Sequence, residues 1–309
     1  MSLEHGKIEQ FLTLEFLAKQ VVEGFVIGLH RSPFHGFSVE FAEHRPYNAG
    51  ESVKNIDWKL YGRTDKLFVK QFEDETNLRC VLAIDQSTSM FFPKERQGNF
   101  DAPNKITFSI YAAAVLTELF YKQRDAFGLV AFSKQTDTKT TVKSGYTHKQ
   151  YLFTLLSEML KQEVPEHRLE TDTVETLHQI AETYHKRSLV IIFSDMLQQN
   201  TSVEDMLSAL RHLRHRKHEV ILFHTLDWEK EIDFRFENRP HKFIDLETNE
   251  EIKLNPKEIQ QYYKALLQER FLSLQQHCAK YRIDCVKADI TKGFHQILLP
   301  YLLKRSGLR

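Results

Sequence analysis

"CVLAIDQSTSM", Cys80 to Met90, runs five apolar residues into an acid, Asp85, and then sets hydroxyls at alternate positions, Ser87 and Ser89. An unbroken apolar run this short predicts a strand buried on both faces. Such strands belong to parallel sheets covered by helices, so a crossover helix should follow. "KITFSIYAAAVLTELFYKQ" supplies one, long and rich in alanine.

The alternation continues to the end of the chain. "AFGLVAFS", "SLVIIFS", "EVILFHTL" and "IDCVKA" read as further strands, separated by segments of helical periodicity such as "HKQYLFTLLSEMLKQ" and "SVEDMLSALRHLRHRK". Residues 78–309 are therefore expected to form a doubly wound, mostly parallel α/β sheet, Rossmann-like in its winding. Residues 227–256 interrupt the pattern with charges and predict a hairpin turning near Thr248 and Asn249, an insertion between "EVILFHTL" and its helix. Upstream, residues 1–77 start with an amphipathic helix (Ile8, Phe11, Leu12, Leu14, Phe16, Leu17). They continue as a small β-rich N-terminal module with the strand-like pieces "FSVEFAEH" and "KLFVKQFE".

Composition narrows the function. Forty-two basic residues balance forty-two acidic ones, so no global charge recruits nucleic acid or an anionic membrane. Three cysteines without C-x-x-C spacing suggest neither a disulfide framework nor a zinc knuckle. Glu4, His5, Lys7 and Glu9 stand where a signal peptide needs an apolar stretch, and no apolar run approaches the ~20 residues of a spanning helix. The expectation is a soluble, cytoplasmic protein.

In an open α/β sheet, ligands sit outside the carboxyl ends of the strands, near the point where strand order reverses. Asp85, Ser87 and Ser89 follow one strand, Asp195 ends "SLVIIFSD", and Thr171 lies in the loop before "DTVETLHQI". These hard oxygen donors suit Mg²⁺ or Mn²⁺ better than zinc. The competing view makes Asp85 a turn residue and the two serines caps of the next segment.

"AIDQSTSM", Thr171 and "FSDM" together resemble the metal-ion-dependent adhesion site of von Willebrand factor type A domains. The resemblance implies octahedral coordination by Asp85, Ser87 and Ser89, with Thr171 and Asp195 contributing directly or through water. One departure concerns Glu170-Thr171-Asp172, which has no preceding glycine; Thr173 is the substitute. Beyond the site, "RSPFHGFSVEFAEHRPYNAGESVKNIDWKLYGRTDKLFVKQFEDE" and "HCAKYRIDCVKADI" resemble a bacterial family known as domain of unknown function number fifty-eight, which carries a type A domain. Its members are commonly encoded beside MoxR-type AAA+ ATPases. That resemblance implies a non-catalytic, metal-dependent adaptor between such an ATPase and client proteins.

The alternative is a magnesium-dependent phosphoester hydrolase with Asp85 as nucleophile. It lacks the acid expected two residues on, where Ser87 stands and has no useful pKa for proton transfer. Neither a P-loop nor a G-x-S-x-G elbow occurs. Arg31, Arg45, Trp58 and Arg63 form a second candidate group, either a packed core with ion pairs or a partner-docking surface. "RHLRHRKH", Arg211 to His218, is read as a final helical turn whose cations complement the helix dipole.

Overall fold

The computed structural model of the chain describes residues 14–25, 44–46, 58–70, 78–132, 136–162, 173–196, 203–244 and 251–307. Two units separate, Val26–Asn77 and the combination of Met1–Phe25 with Leu78–Arg309. Helix α1 (14–25) thus joins the large unit, although its sequence reads as part of the N-terminal module.

In the small unit, β1 (His44–Pro46) pairs antiparallel with β2 (Phe68–Lys70), and α2 (Trp58–Thr64) lies between them in sequence. No helix is expected from the sequence of this β-rich module, and β2 falls within the strand-like piece "KLFVKQFE", whereas most of "FSVEFAEH" lies outside the described residues. The helical segment holds no proline, and its only glycine comes near the end, at Gly62.

The large unit contains β3 (Arg79–Asp85), α3 (Lys105–Lys122), β4 (Ala126–Phe132), β5 (Thr136–Lys139), α4 (Tyr146–Leu160), α5 (Thr173–Thr183), β6 (Leu189–Ser194), α6 (Val203–His215) and β7 (Glu219–Leu226). After a hairpin of β8 (His241–Ile244) and β9 (Glu251–Leu254) come α7 (Pro256–Lys280), β10 (Asp284–Asp289) and α8 (His295–Gly307). Six strands form one sheet in the order β10-β7-β6-β3-β4-β5, parallel except for β5. The mixed α/β class with a mostly parallel central sheet is as expected.

Burial explains the apolar runs. Cys80 to Ile84 and Leu189 to Phe193 are inaccessible to solvent because both sheet faces are covered. Val81, Ala83, Val190 and Ile192 pack with Leu177 and Ile180 of α5, Leu210 and Leu213 of α6, and Leu274 of α7. Alternation turns Leu82 and Ile84 to the opposite face, where α3 contacts β3, β4 and β7. Every residue of α3 from Lys105 to Phe120 is buried, which is why its apolar residues form no single stripe. It lies against α4 and meets α8 through the edge-on rings of Phe120 and Tyr301.

Strand β5 went unforeseen because it is short and polar, its threonines at 136 and 138 being the one strand-like signal. The hairpin expected inside 227–256 is present as β8 and β9; its turn at Thr248 and Asn249 lies outside the described residues.

Gly128 sits where β4 passes under residues 140–142. A methyl group there would lie 3.1 Å from Val142 Cγ2, 3.2 Å from Thr140 Oγ1 and 3.3 Å from the Thr141 carbonyl oxygen. Thr140 Oγ1 also accepts from the Leu129 amide, so it cannot retreat freely. Gly128→Ala is expected to cost about 1–2 kcal/mol in urea unfolding. A change below about 0.3 kcal/mol would show that the 140–142 segment yields.

Candidate metal centre

β3 and β6 are parallel neighbours, with Ile84 beside Phe193, so Asp85 and Ser194 leave the sheet side by side. From β3 the chain winds outward through β4 and β5, then returns past β3 to build β6, β7 and β10. The winding therefore reverses between β3 and β6. Such a switch point opens a crevice at the carboxyl ends of the two strands.

Asp85, Ser87 and Asp195 are buried there and Ser89 is half-buried. Asp85 Oδ2 accepts from Ser194 Oγ at 2.6 Å, and Oδ1 accepts from the Ser87 amide at 2.9 Å, a local turn bond. Ser87 occupies the N-cap position of the 3₁₀ turn Thr88–Phe91, yet its hydroxyl makes no capping bond. It meets the Ser89 hydroxyl instead, at 3.1 Å. Asp85 is thus a turn residue, as the simpler view has it, but the serine side chains are not spent on capping.

Lys105 was not singled out by sequence. It opens α3 behind the capping Asn104, whose side chain accepts from the Thr107 amide at 2.9 Å. Side chains on a helix tilt toward its N-terminus, which sends the lysine back toward the strand ends. Its ammonium lies 2.7 Å from Asp195 Oδ2 and 2.6 Å from Glu231 Oε1.

Glu231 comes from the inserted segment, in the π-helical turn Trp228–Ile232. Its other oxygen accepts from the Asp227 amide at 2.8 Å. Arg96 meets Asp227 at 3.3 Å and Lys230 meets Glu95 at 2.9 Å, so the insertion is tied to the segment that follows Ser89.

Electrostatics follow from burial and these neighbours. Burial, and after it the charge of Asp195, pushes the Asp85 carboxyl up to about 6 against the bonds from Ser194 and Ser87. For Lys105, burial disfavours the ammonium, but Asp195 and Glu231 outweigh it and hold the group above the ordinary lysine value. The Glu231 carboxyl is raised by burial, with Lys105 offsetting part of the effect. A carboxylate held back from ionising by burial and a neighbouring negative charge is one that a cation would stabilise.

His224 on β7 is buried, and its Nε2 donates to the Asp195 carbonyl oxygen at 2.8 Å. Burial holds its imidazole down to about 4. A group depressed on folding contributes stability above its unfolded value, near 6.5, and loses it as pH falls through the folded one. Between pH 6.5 and 4 the wild type should lose roughly 3 kcal/mol relative to His224→Gln in denaturant titrations. Asp85 contributes an opposite slope in both proteins and cancels in the comparison. Parallel pH curves would mean that His224 is not buried in its neutral form.

The remaining candidates are placed as follows. Thr171 lies outside the described residues, while Thr173 opens α5 and is buried. Among the described residues no group of three or more His, Cys, Asp or Glu side chains converges as a metal-binding cluster. Among the described residues the donor set at this edge is two carboxylates and serine hydroxyls, which suits a hard cation better than zinc. Arg45 is on β1, Trp58 opens α2, Arg63 is exposed, and Arg31 lies outside the described residues. At the end of α6 and just beyond it, Arg214 pairs with Glu219 and Arg216 with Glu182; His212 Nδ1 lies 2.8 Å from His178 Nδ1. No helix among the described residues is long and apolar enough to cross a membrane.

The family model described as protein of unknown function DUF58 matches residues 43–270, and the chain belongs to that family. Uncharacterised proteins of Mycobacterium tuberculosis and Mycobacterium bovis are 25% identical to it over 215 residues, 70% of this chain and 63% of theirs. The chain thus spans under two thirds of the length of those relatives. Among solved structures it is similar to the conserved hypothetical protein BatB from Bacteroides thetaiotaomicron, at 13% identity and a TM-score of 0.48, covering 75% of this chain and 100% of that one. An aerotolerance-related membrane protein from Bacteroides fragilis aligns at 13% identity and a TM-score of 0.43, covering 74% of this chain and 99% of that one.

Proposed function

We propose that this chain is a non-catalytic protein-binding module of the von Willebrand factor type A kind, whose carboxyl edge holds Mg²⁺ or Mn²⁺. Asp85, Ser87 and Ser89 are the ligands in this reading, and Asp195 with Thr171 or Thr173 supports them directly or through water. One observation carries it: a carboxylate, two hydroxyls not used as caps and a second carboxylate meet at the switch point of the sheet. An acidic side chain of a partner would complete the shell, since neutral hydroxyls leave much of the ion's charge uncompensated.

The partner we propose is a MoxR-type AAA+ ATPase together with a client protein under assembly or maturation, working in the cytoplasm. Co-purification of such an ATPase with the chain, in Mg²⁺ and in chelator, tests this. Retention should need Mg²⁺ and should fall in Asp85→Ala. Retention in chelator as strong as in Mg²⁺, by wild type and Asp85→Ala alike, would remove the metal from recognition.

The hydrolase reading finds less support. Asp195, the acid beside Asp85, and Glu231 both engage the Lys105 ammonium, which disfavours either as proton donor to a leaving group. Expected turnover of a generic phosphoester with Mg²⁺ is nil. Turnover that disappears in Asp85→Asn would favour hydrolysis instead.

A further inference from the structure

The ammonium of Lys105 is enclosed completely and touches two carboxylates from distant parts of the chain. Burying a lysine is expensive unless its partners are fixed in place. Here they are. Asp195 follows β6 beside Asp85, and Glu231 is held by the Asp227 amide, with Asp227 in turn met by Arg96.

This arrangement sets a fixed positive charge against one of the two carboxylates at the switch point. With all groups ionised, Asp85, Asp195 and Glu231 carry three negative charges against one ammonium. Without the lysine, the same edge would attract any cation more strongly and would discriminate less against higher charge.

We propose that Lys105 is a tethered counter-cation that competes with the divalent ion for Asp195, and that Glu231 sets the strength of this competition by drawing the ammonium toward the insertion. This rests on the reading of the edge as a divalent-cation site. It assigns the insertion a role: through Glu231 it governs how readily the edge loads. The site is then weak toward the free ion.

The two ends of the ion pair should respond in opposite directions, which a merely structural role would not produce. Mn²⁺ titrations followed by electron paramagnetic resonance, with circular dichroism to verify folding, provide the test. Lys105→Met should bind Mn²⁺ about tenfold more tightly than wild type, because the competing charge is gone. Glu231→Gln should bind severalfold more weakly, because the ammonium is left to Asp195 alone. Should Lys105→Met fail to fold, Glu231→Gln decides by itself.

Wild-type binding that is unchanged or weakened in Lys105→Met, or unchanged or strengthened in Glu231→Gln, overturns the inference and leaves the cation site standing. No Mn²⁺ binding by the wild type or by either variant overturns both.

Discussion

Asp85→Asn is expected to weaken Mn²⁺ binding by at least about a hundredfold while leaving the protein no less stable at pH 7. The substitution removes the charge that a hard cation requires and keeps the shape of the side chain. The hydrogen bonds can be rebuilt. Asparagine Oδ1 still accepts from the Ser87 amide, and Nδ2 can donate to the Ser194 hydroxyl, which now donates to Asp85. In the absence of a cation, holding Asp85 ionised above pH 6 costs roughly 3 kcal/mol, because burial and Asp195 raise its carboxyl to about 6. Removing that charge offsets any lost hydrogen-bond quality. Unchanged Mn²⁺ binding would show that Asp85 is no ligand, and a marked loss of stability would show that its charge is already compensated in the folded protein.

Lys149→Met is expected to lower the unfolding free energy by about 3–5 kcal/mol. Lys149 on α4 is buried and its ammonium lies 2.8 Å from Glu15 Oε1 and 3.0 Å from Glu118 Oε2. The ring of Tyr121 covers it at 4.5 Å. Methionine matches the volume but leaves the Glu118 carboxylate buried without a cation and Glu15 with only Lys19, at 3.1 Å. Because Glu15 belongs to α1, release of that helix should accompany the loss and can be read by amide hydrogen exchange over 14–25. A loss under about 1 kcal/mol would mean that α1 is held by its apolar residues Leu14, Ala18 and Val22 alone.

Much of the sheet is legible in sequence because its strands are buried on both faces. Cys80–Ile84 and Leu189–Phe193 read as continuous apolar runs, and placing polar ligands at their ends needs only the rule about carboxyl edges. Asp85 and Asp195 could be paired by assuming that their strands are neighbours. The structure supplies that adjacency.

Contacts made across long sequence separations were not legible. Lys105 reads as one more polar residue at the start of a helix, and nothing local indicates that it reaches Asp195, 90 residues away, or Glu231, 126 away. A weak signal existed: all the following residues to Phe120 are buried, and a helix with no exposed face must also bury its first turn. Glu231 was hidden in a different way, inside a charged insertion that looks like surface. Helix α1 was assigned to the small unit because proximity in sequence suggested it, whereas the Glu15–Lys149 pair ties it to α4.

Recognition through this edge requires a divalent cation between β3 and β6. Water-proton relaxation of chelator-stripped wild-type protein during Mn²⁺ titration addresses this most directly, with Asp85→Ala and Asp195→Ala measured alongside. One saturable site, lost or severely weakened in both variants, is the predicted result. Absence of a site in the wild type, or a site that persists in both variants, would contradict it.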